Sequence, residues 1–174
     1  MNKLIASVDA VKRVLDETFI VRTIQQRFAP NTPIAELLPI AAKAQIHQYS
    51  TGAVIFRAGD EADTLHFIRS GSVTVSTEID GREVIMSYVP ANSAIGEMGL
   101  LGDTVRTATI SATVKTETIS IDKESFNMLL DRSPGLKERL QQTMQQRNQQ
   151  NVALQSNSES GDLMSFLMGQ GVGE

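Results

Sequence analysis

Residues 96–110, GEMGLLGDTVRTATI, carry the parts of an anion cradle. Gly96 and Gly99 let backbone come close to a bound group, because neither has a Cβ. Glu97 and Met98 open a short apolar turn whose free N–H groups would face a negative group. Arg106 adds a permanent positive charge in a planar fork that matches phosphate. Thr107 places a hydroxyl beside it, and Ala108 completes the Arg-Thr-Ala run. Glu97 is out of place in an anion site unless the ligand also carries hydroxyls, as a sugar does; a carboxylate accepts hydrogen bonds from them.

The elements that must position these groups follow from periodicity. From Gln45 to Ile121 apolar residues alternate with polar ones, the pattern of short strands. Candidate strands are 53–56, 65–68, 73–75, 84–89, 107–112 and 117–121, with Gly, Asp, Ser and Pro turn signals between them. Asp80-Gly81 suits a two-residue type I′ hairpin. Many short strands at regular spacing imply a jelly roll or Greek-key barrel. On the N-terminal side, Leu4, Val8, Val11, Leu15, Phe19, Ile24 and Phe28 mark an amphipathic helix in one or two pieces. Thr32 is placed to cap a short helix over 33–38. A bundle packed on the β-domain and an interaction segment both fit residues 1–44. After the strands, 125–131 reads as a helix capped by Asp122 or Ser125. Ser133-Pro134 then starts a long helix with Leu140, Met144, Asn151 and Leu154 along one side. Arg147 and Asn151 make that seam partly polar. Residues 156–174 read as a flexible tail with one short amphipathic turn.

The segment GEMGLLGDTVRTAT resembles the phosphate-binding cassette of the cyclic nucleotide-binding domain family in both residue types and spacing. YSTGAVIFRAGDEADTLHFIRSGSVTVS is similar to that family's opening strands, with glycines 52, 59 and 71 at its turns. The likeness runs from Gln45 to Leu154, about two thirds of the chain. Two positions depart from the pattern: Val105 where many members have proline, and Ile95 where many have phenylalanine. The resemblance implies a mainly β fold with flanking helices: a β jelly roll (double-stranded β-helix) with N-terminal helices and a long C-terminal helix. It divides the chain into an N-terminal helical segment 1–44, a cyclic nucleotide-binding domain 45–155 and a tail 156–174. It implies cAMP or cGMP as ligand, with no cofactor. Arg106 and the backbone of Gly96, Met98 and Gly99 would hold the cyclic phosphate, and Glu97 the ribose 2′-hydroxyl. Thr107 would reach the phosphate and the 2-amino group of a syn guanine, without choosing the base. Asn151 would meet the base edge, and the 134–154 helix would form a homodimer and cover the base. Val73, Ile85 and Tyr88 either line the purine pocket or, as the plainer expectation, pack in the core.

Composition excludes other classes. The chain has 174 residues, net charge −4 and no cysteine. The acidic balance argues against a nucleic-acid surface, and thiol or disulfide chemistry within the chain is excluded. No run is long enough to span a membrane and no secretory signal is visible, so a cytoplasmic location is the default. His47 and His66, nineteen residues apart, do not supply a metal-dependent cupin's ligand set; His66 is expected in the core or at its rim. No catalytic motif is present, so the expectation is a regulatory module and not an enzyme. About twenty residues after the long helix cannot hold a helix-turn-helix. Two alternatives stay open: a ligand-free dimerisation or docking domain of the same fold, and a regulatory piece of a larger, possibly redox, enzyme.

Overall fold

The computed structural model describes residues 2–102 and 104–146. The chain divides into two units, 1–138 and 139–174; of the second, residues 139–146 are described and are helical. Among the described residues the first unit has eight strands: β1 (Gln45–Tyr49), β2 (Val54–Phe56), β3 (Thr64–Ser70), β4 (Ser72–Ile79), β5 (Arg82–Pro90), β6 (Ala94–Ile95), β7 (Thr109–Ala112) and β8 (Thr116–Asp122). They form two antiparallel sheets ordered β1-β8-β3-β6 and β2-β7-β4-β5, a jelly roll. Among the described residues, helices α1 (Asn2–Phe28), α2 (Ile34–Lys43), α3 (Glu97–Gly102) and α4 (Lys123–Arg132) flank them.

The hairpin joining β4 and β5 follows the Asp-Gly expectation. Asp80 and Gly81 both lie at positive φ, 51° and 74°, as a type I′ turn requires. Ile68, Val73, Ile95 and Ile110 are buried between the sheets, with Phe56, Val75 and Val89 packed on them. Strand pairing puts Thr64, His66 and Ile68 of β3 on one face with Thr118 and Ser120 of β8 and His47 of β1. Ile68 belongs to the inter-sheet core, so this is the inner face, and much of it is polar. The opposite face, with Leu65, Phe67, Ile119 and Ile121, is buried too; α4 packs on both β3 and β8. Arg69 ties α1 to the sheet: its Nη1 lies 3.1 Å from Asp16 and 3.2 Å from Glu117. Its guanidinium also stacks 4.4 Å over Phe19.

Four expectations are corrected. Thr32 does not cap α2: Pro33 precedes the helix without a side-chain cap, and the Thr32 hydroxyl donates to Arg132 O at 3.0 Å. The helix also runs past Leu38 and through Pro39, carried by burial of Leu37, Ile40 and Ala41, which outweighs the one backbone hydrogen bond proline removes. Pro134 does not open the long helix. Gly135 takes φ 77°, so residues 134–135 turn and the helix begins at Leu136. Finally, Ile85 and Tyr88 are not core: they are 51% and 68% exposed, because β5 is an edge strand. Val73 is fully buried, as expected.

Candidate functional site

Arg106, three residues before β7, is clamped at its backbone. Arg106 N donates to Asp60 O at 2.8 Å, and Arg106 O accepts from Gly59 N at 2.8 Å. That clamp sends the side chain inward, where it is only 3% exposed. Nη1 donates to Gly96 O at 3.2 Å. Nη2 donates to the Thr64 hydroxyl at 2.9 Å and to Asp63 Oδ1 at 3.3 Å. The guanidinium carbon sits 4.0 Å from the centre of the Phe56 ring, a cation–π contact. The Nε–H is buried and has no acceptor among the described residues. Burial lowers the Arg106 pKa from the ordinary guanidinium value; the carboxylates of Asp63, Asp60 and Glu97 oppose it. An arginine so placed stays charged.

Gly96 makes room for that guanidinium. It holds φ 89°, and a Cβ there would lie 2.5 Å from Arg106 Nη1. Glu97 follows and is 2% exposed. Gly99 lets α3 press on the Asp60–Asp63 loop: its Cβ would meet the Ala62 Cβ at 2.5 Å and Val105 O at 3.2 Å. Thr107 lies outside the strand expected for it, exposed, with its hydroxyl 4.0 Å from Met98 Sδ. Ala108 is half-buried. The fold thus gathers Gly96, Glu97 and Arg106, with Met98, Gly99 and Thr107 at their side. Asn151 lies outside the described residues.

Sequence reasoning passed over Phe56, Asp63 and Thr64. They touch Arg106 across forty residues or more of chain, and their spacing carries no signal. The acids Asp60, Glu61 and Asp63, at and just after the Ala58-Gly59-Asp60 turn signal, are the one local hint. His66 is 6% exposed. Its Nδ1 is 3.1 Å from the Thr118 hydroxyl and its Nε2 3.2 Å from that of Thr64. The His47 ring lies 5.7 Å away, and its Nε2 is 2.8 Å from Ser120 Oγ. Burial, then the charges of His47 and Arg106, lower the His66 pKa from 6.5 to about 4, with Asp63 opposing. Among the described residues no cluster of His, Cys, Asp and Glu could hold a metal ion, and no helix is long and apolar enough to cross a membrane.

Residues 46–133 match the family model described as the cyclic nucleotide-binding domain. Among curated relatives, the cAMP-activated global transcriptional regulator CRP of Salmonella typhimurium is 32% identical over 124 residues, covering 70% of this chain and 56% of the relative. The chain therefore spans little more than half the length of that relative. Among solved structures, the regulatory subunit of a cAMP-independent protein kinase A from Trypanosoma brucei superposes with TM-score 0.69 at 23% identity, covering 83% of this chain and 52% of that one. The regulatory domain of Toxoplasma gondii PKA, co-crystallised with cAMP, gives TM-score 0.68 at 16% identity, covering 79% and 52%. At these identities the two structures speak for the jelly-roll fold, and the sequence match to half of the chain goes further. The chain belongs to the cyclic nucleotide-binding domain family.

Proposed function

We infer that this chain is a regulatory module that binds a 3′,5′-cyclic nucleotide, cAMP or cGMP. One observation carries the assignment: a buried guanidinium whose Nη groups are tied down while its Nε–H faces no acceptor. A buried donor left unmatched costs about 1–3 kcal/mol, and a phosphate oxygen would satisfy it. Arg106 with the backbone of Gly96, Met98 and Gly99 takes the cyclic phosphate, Glu97 the ribose hydroxyl, and Thr107 and Ala108 flank the phosphate. Asn151 meets the base. The binding domain is residues 45–155, preceded by the helical segment 1–44. Ligand that favours one placement of the helix that begins at Leu136 shifts its population, and the shift passes to a second copy of the chain or to an attached or partner effector. One relative is a transcriptional regulator by name; these 174 residues carry net charge −4 and are not assigned a nucleic-acid surface. The module works in the cytoplasm and does no chemistry of its own.

Isothermal calorimetry with each nucleotide tests this. Arg106→Ala is expected to lose at least about 100-fold in affinity, the worth of two charge-assisted hydrogen bonds, with its circular dichroism unchanged. Unchanged affinity in that variant would sink the assignment. A second reading, a docking domain of this fold that takes no cyclic nucleotide, draws on the carboxylates crowding Arg106. It also draws on the neighbour named as cAMP-independent. Equilibrium dialysis against both nucleotides separates the two.

A further inference from the structure

The inner face of β3 carries a polar chain that the phosphate cassette does not explain. Thr64 Oγ1 has three polar neighbours: Arg106 Nη2 at 2.9 Å, Asp63 Oδ1 at 3.1 Å and His66 Nε2 at 3.2 Å. A hydroxyl has one proton to give and two lone pairs. Arginine only donates and a carboxylate only accepts. So Thr64 accepts from Arg106, donates to Asp63, and has one lone pair left, which His66 fills by donating Nε2–H. The other ring nitrogen, Nδ1, then accepts from the Thr118 hydroxyl at 3.1 Å. Every site on the ring is used, and the neutral imidazole is fixed in one tautomer and one orientation. Its surroundings agree. His66 is buried between the Phe56 ring at 6.0 Å, on which Arg106 stacks, and the His47 ring at 5.7 Å.

We propose that His66, as the neutral Nε2–H tautomer, is a positioning residue for the phosphate-binding guanidinium and acts through the Thr64 hydroxyl. Without the imidazole proton, the Thr64 hydroxyl is free to rotate its own proton away from Asp63. Arg106 Nη2 then loses a defined acceptor, and the direction in which Nε–H points is no longer fixed. The role deepens the cyclic nucleotide assignment and rests on it for its effect on binding, but not for its effect on Arg106 itself.

Two side chains separate the halves of the ring. Glutamine can place an amide N–H near the former Nε2, whereas asparagine reaches only the position of Nδ1. On the whole 174-residue chain, imidazole nitrogen spectra at pH 7 are expected to show His66 as the Nε2–H tautomer; the Nδ1–H tautomer overturns the proposal. The guanidinium nitrogen spectra of Arg106, without ligand, are expected to show hindered rotation in the wild type. Thr64→Ser and His66→Gln keep it; Thr64→Val and His66→Asn lose it. In calorimetry with cAMP and cGMP, Thr64→Val and His66→Asn lose at least about tenfold in affinity, as one charge-assisted hydrogen bond is worth; Thr64→Ser and His66→Gln stay within about threefold. An unchanged Arg106 spectrum in Thr64→Val overturns the positioning role. Should the wild type bind neither nucleotide, the functional assignment falls alone, and the arginine spectra still decide the positioning. If His66→Asn fails to fold, as urea unfolding would reveal, the Thr64 pair decides it.

Discussion

Arg106 is a charge taken out of water and held by groups that are themselves constrained. Its strongest constraint is the one with no side chain. Gly96 combines a left-handed backbone, φ 89°, with a Cβ position 2.5 Å from Arg106 Nη1. Alanine there meets both penalties, so Gly96→Ala is expected to cost about 1–3 kcal/mol in urea unfolding. It should also weaken cAMP binding, since the guanidinium must move to admit a methyl group. Full affinity with lowered stability would mean that Arg106 need not sit where it does. His66 makes a second prediction. Its folded pKa, about 4, lies below the ordinary 6.5, so the unfolded chain binds the proton more readily. The stabilisation is complete above pH 6.5 and drains away as pH falls toward 4, amounting to about 3 kcal/mol. Urea unfolding of wild type and His66→Gln at pH 7.5 and 4.5 checks it: the variant should show a clearly smaller loss.

At the scale of elements, α4 illustrates how local chemistry fixes a boundary. Asp122 accepts from Ser125 N at 2.7 Å, which holds its carboxyl below the usual range. It caps a helix that buries Phe126 and Leu129 on the β-domain. Asp122→Ala is expected to cost about 1 kcal/mol, or about 2–4 °C in melting temperature; no change would show that packing alone sets the helix start. This cap was legible because an Asp three residues before a free N–H is a local signal. The Asp80-Gly81 hairpin and most strands of the jelly roll were legible for the same reason. Other features were not. The inward turn of Arg106 depends on Asp60, Asp63 and Thr64, reached only when the sheets close. Ile85 and Tyr88 stand in an apolar run of strand-forming residues, yet residue type cannot say whether anything covers their strand. Ser133-Pro134 looks like a helix start, but Gly135 at φ 77° spends the position on a turn. β1, with Gln45, His47 and Gln48, has too little apolar content to stand out, and β6 is two residues long.

For the molecule as a whole, an anionic ligand has to be captured by an acidic chain. With net charge −4 and Asp60, Asp63 and Glu97 all acting on Arg106, long-range attraction offers little help, and affinity must come from contact. Arg106 is already buried and its partners are already in place, so little reorganisation opposes binding. Such a ligand binds the folded chain and not the unfolded one, because the unfolded chain brings residues 63, 96 and 106 together only by chance. At a concentration 100 times the dissociation constant it therefore adds about 2.7 kcal/mol to folding. For a protein of this size, that is about 5–10 °C in melting temperature. Thermal unfolding with cAMP and with cGMP should show that rise for the preferred nucleotide and a smaller one, at equal concentration, for the other. Arg106→Ala should show none. A midpoint unmoved by either nucleotide at millimolar concentration would leave the buried Nε–H without its acceptor and turn the assignment toward the docking domain.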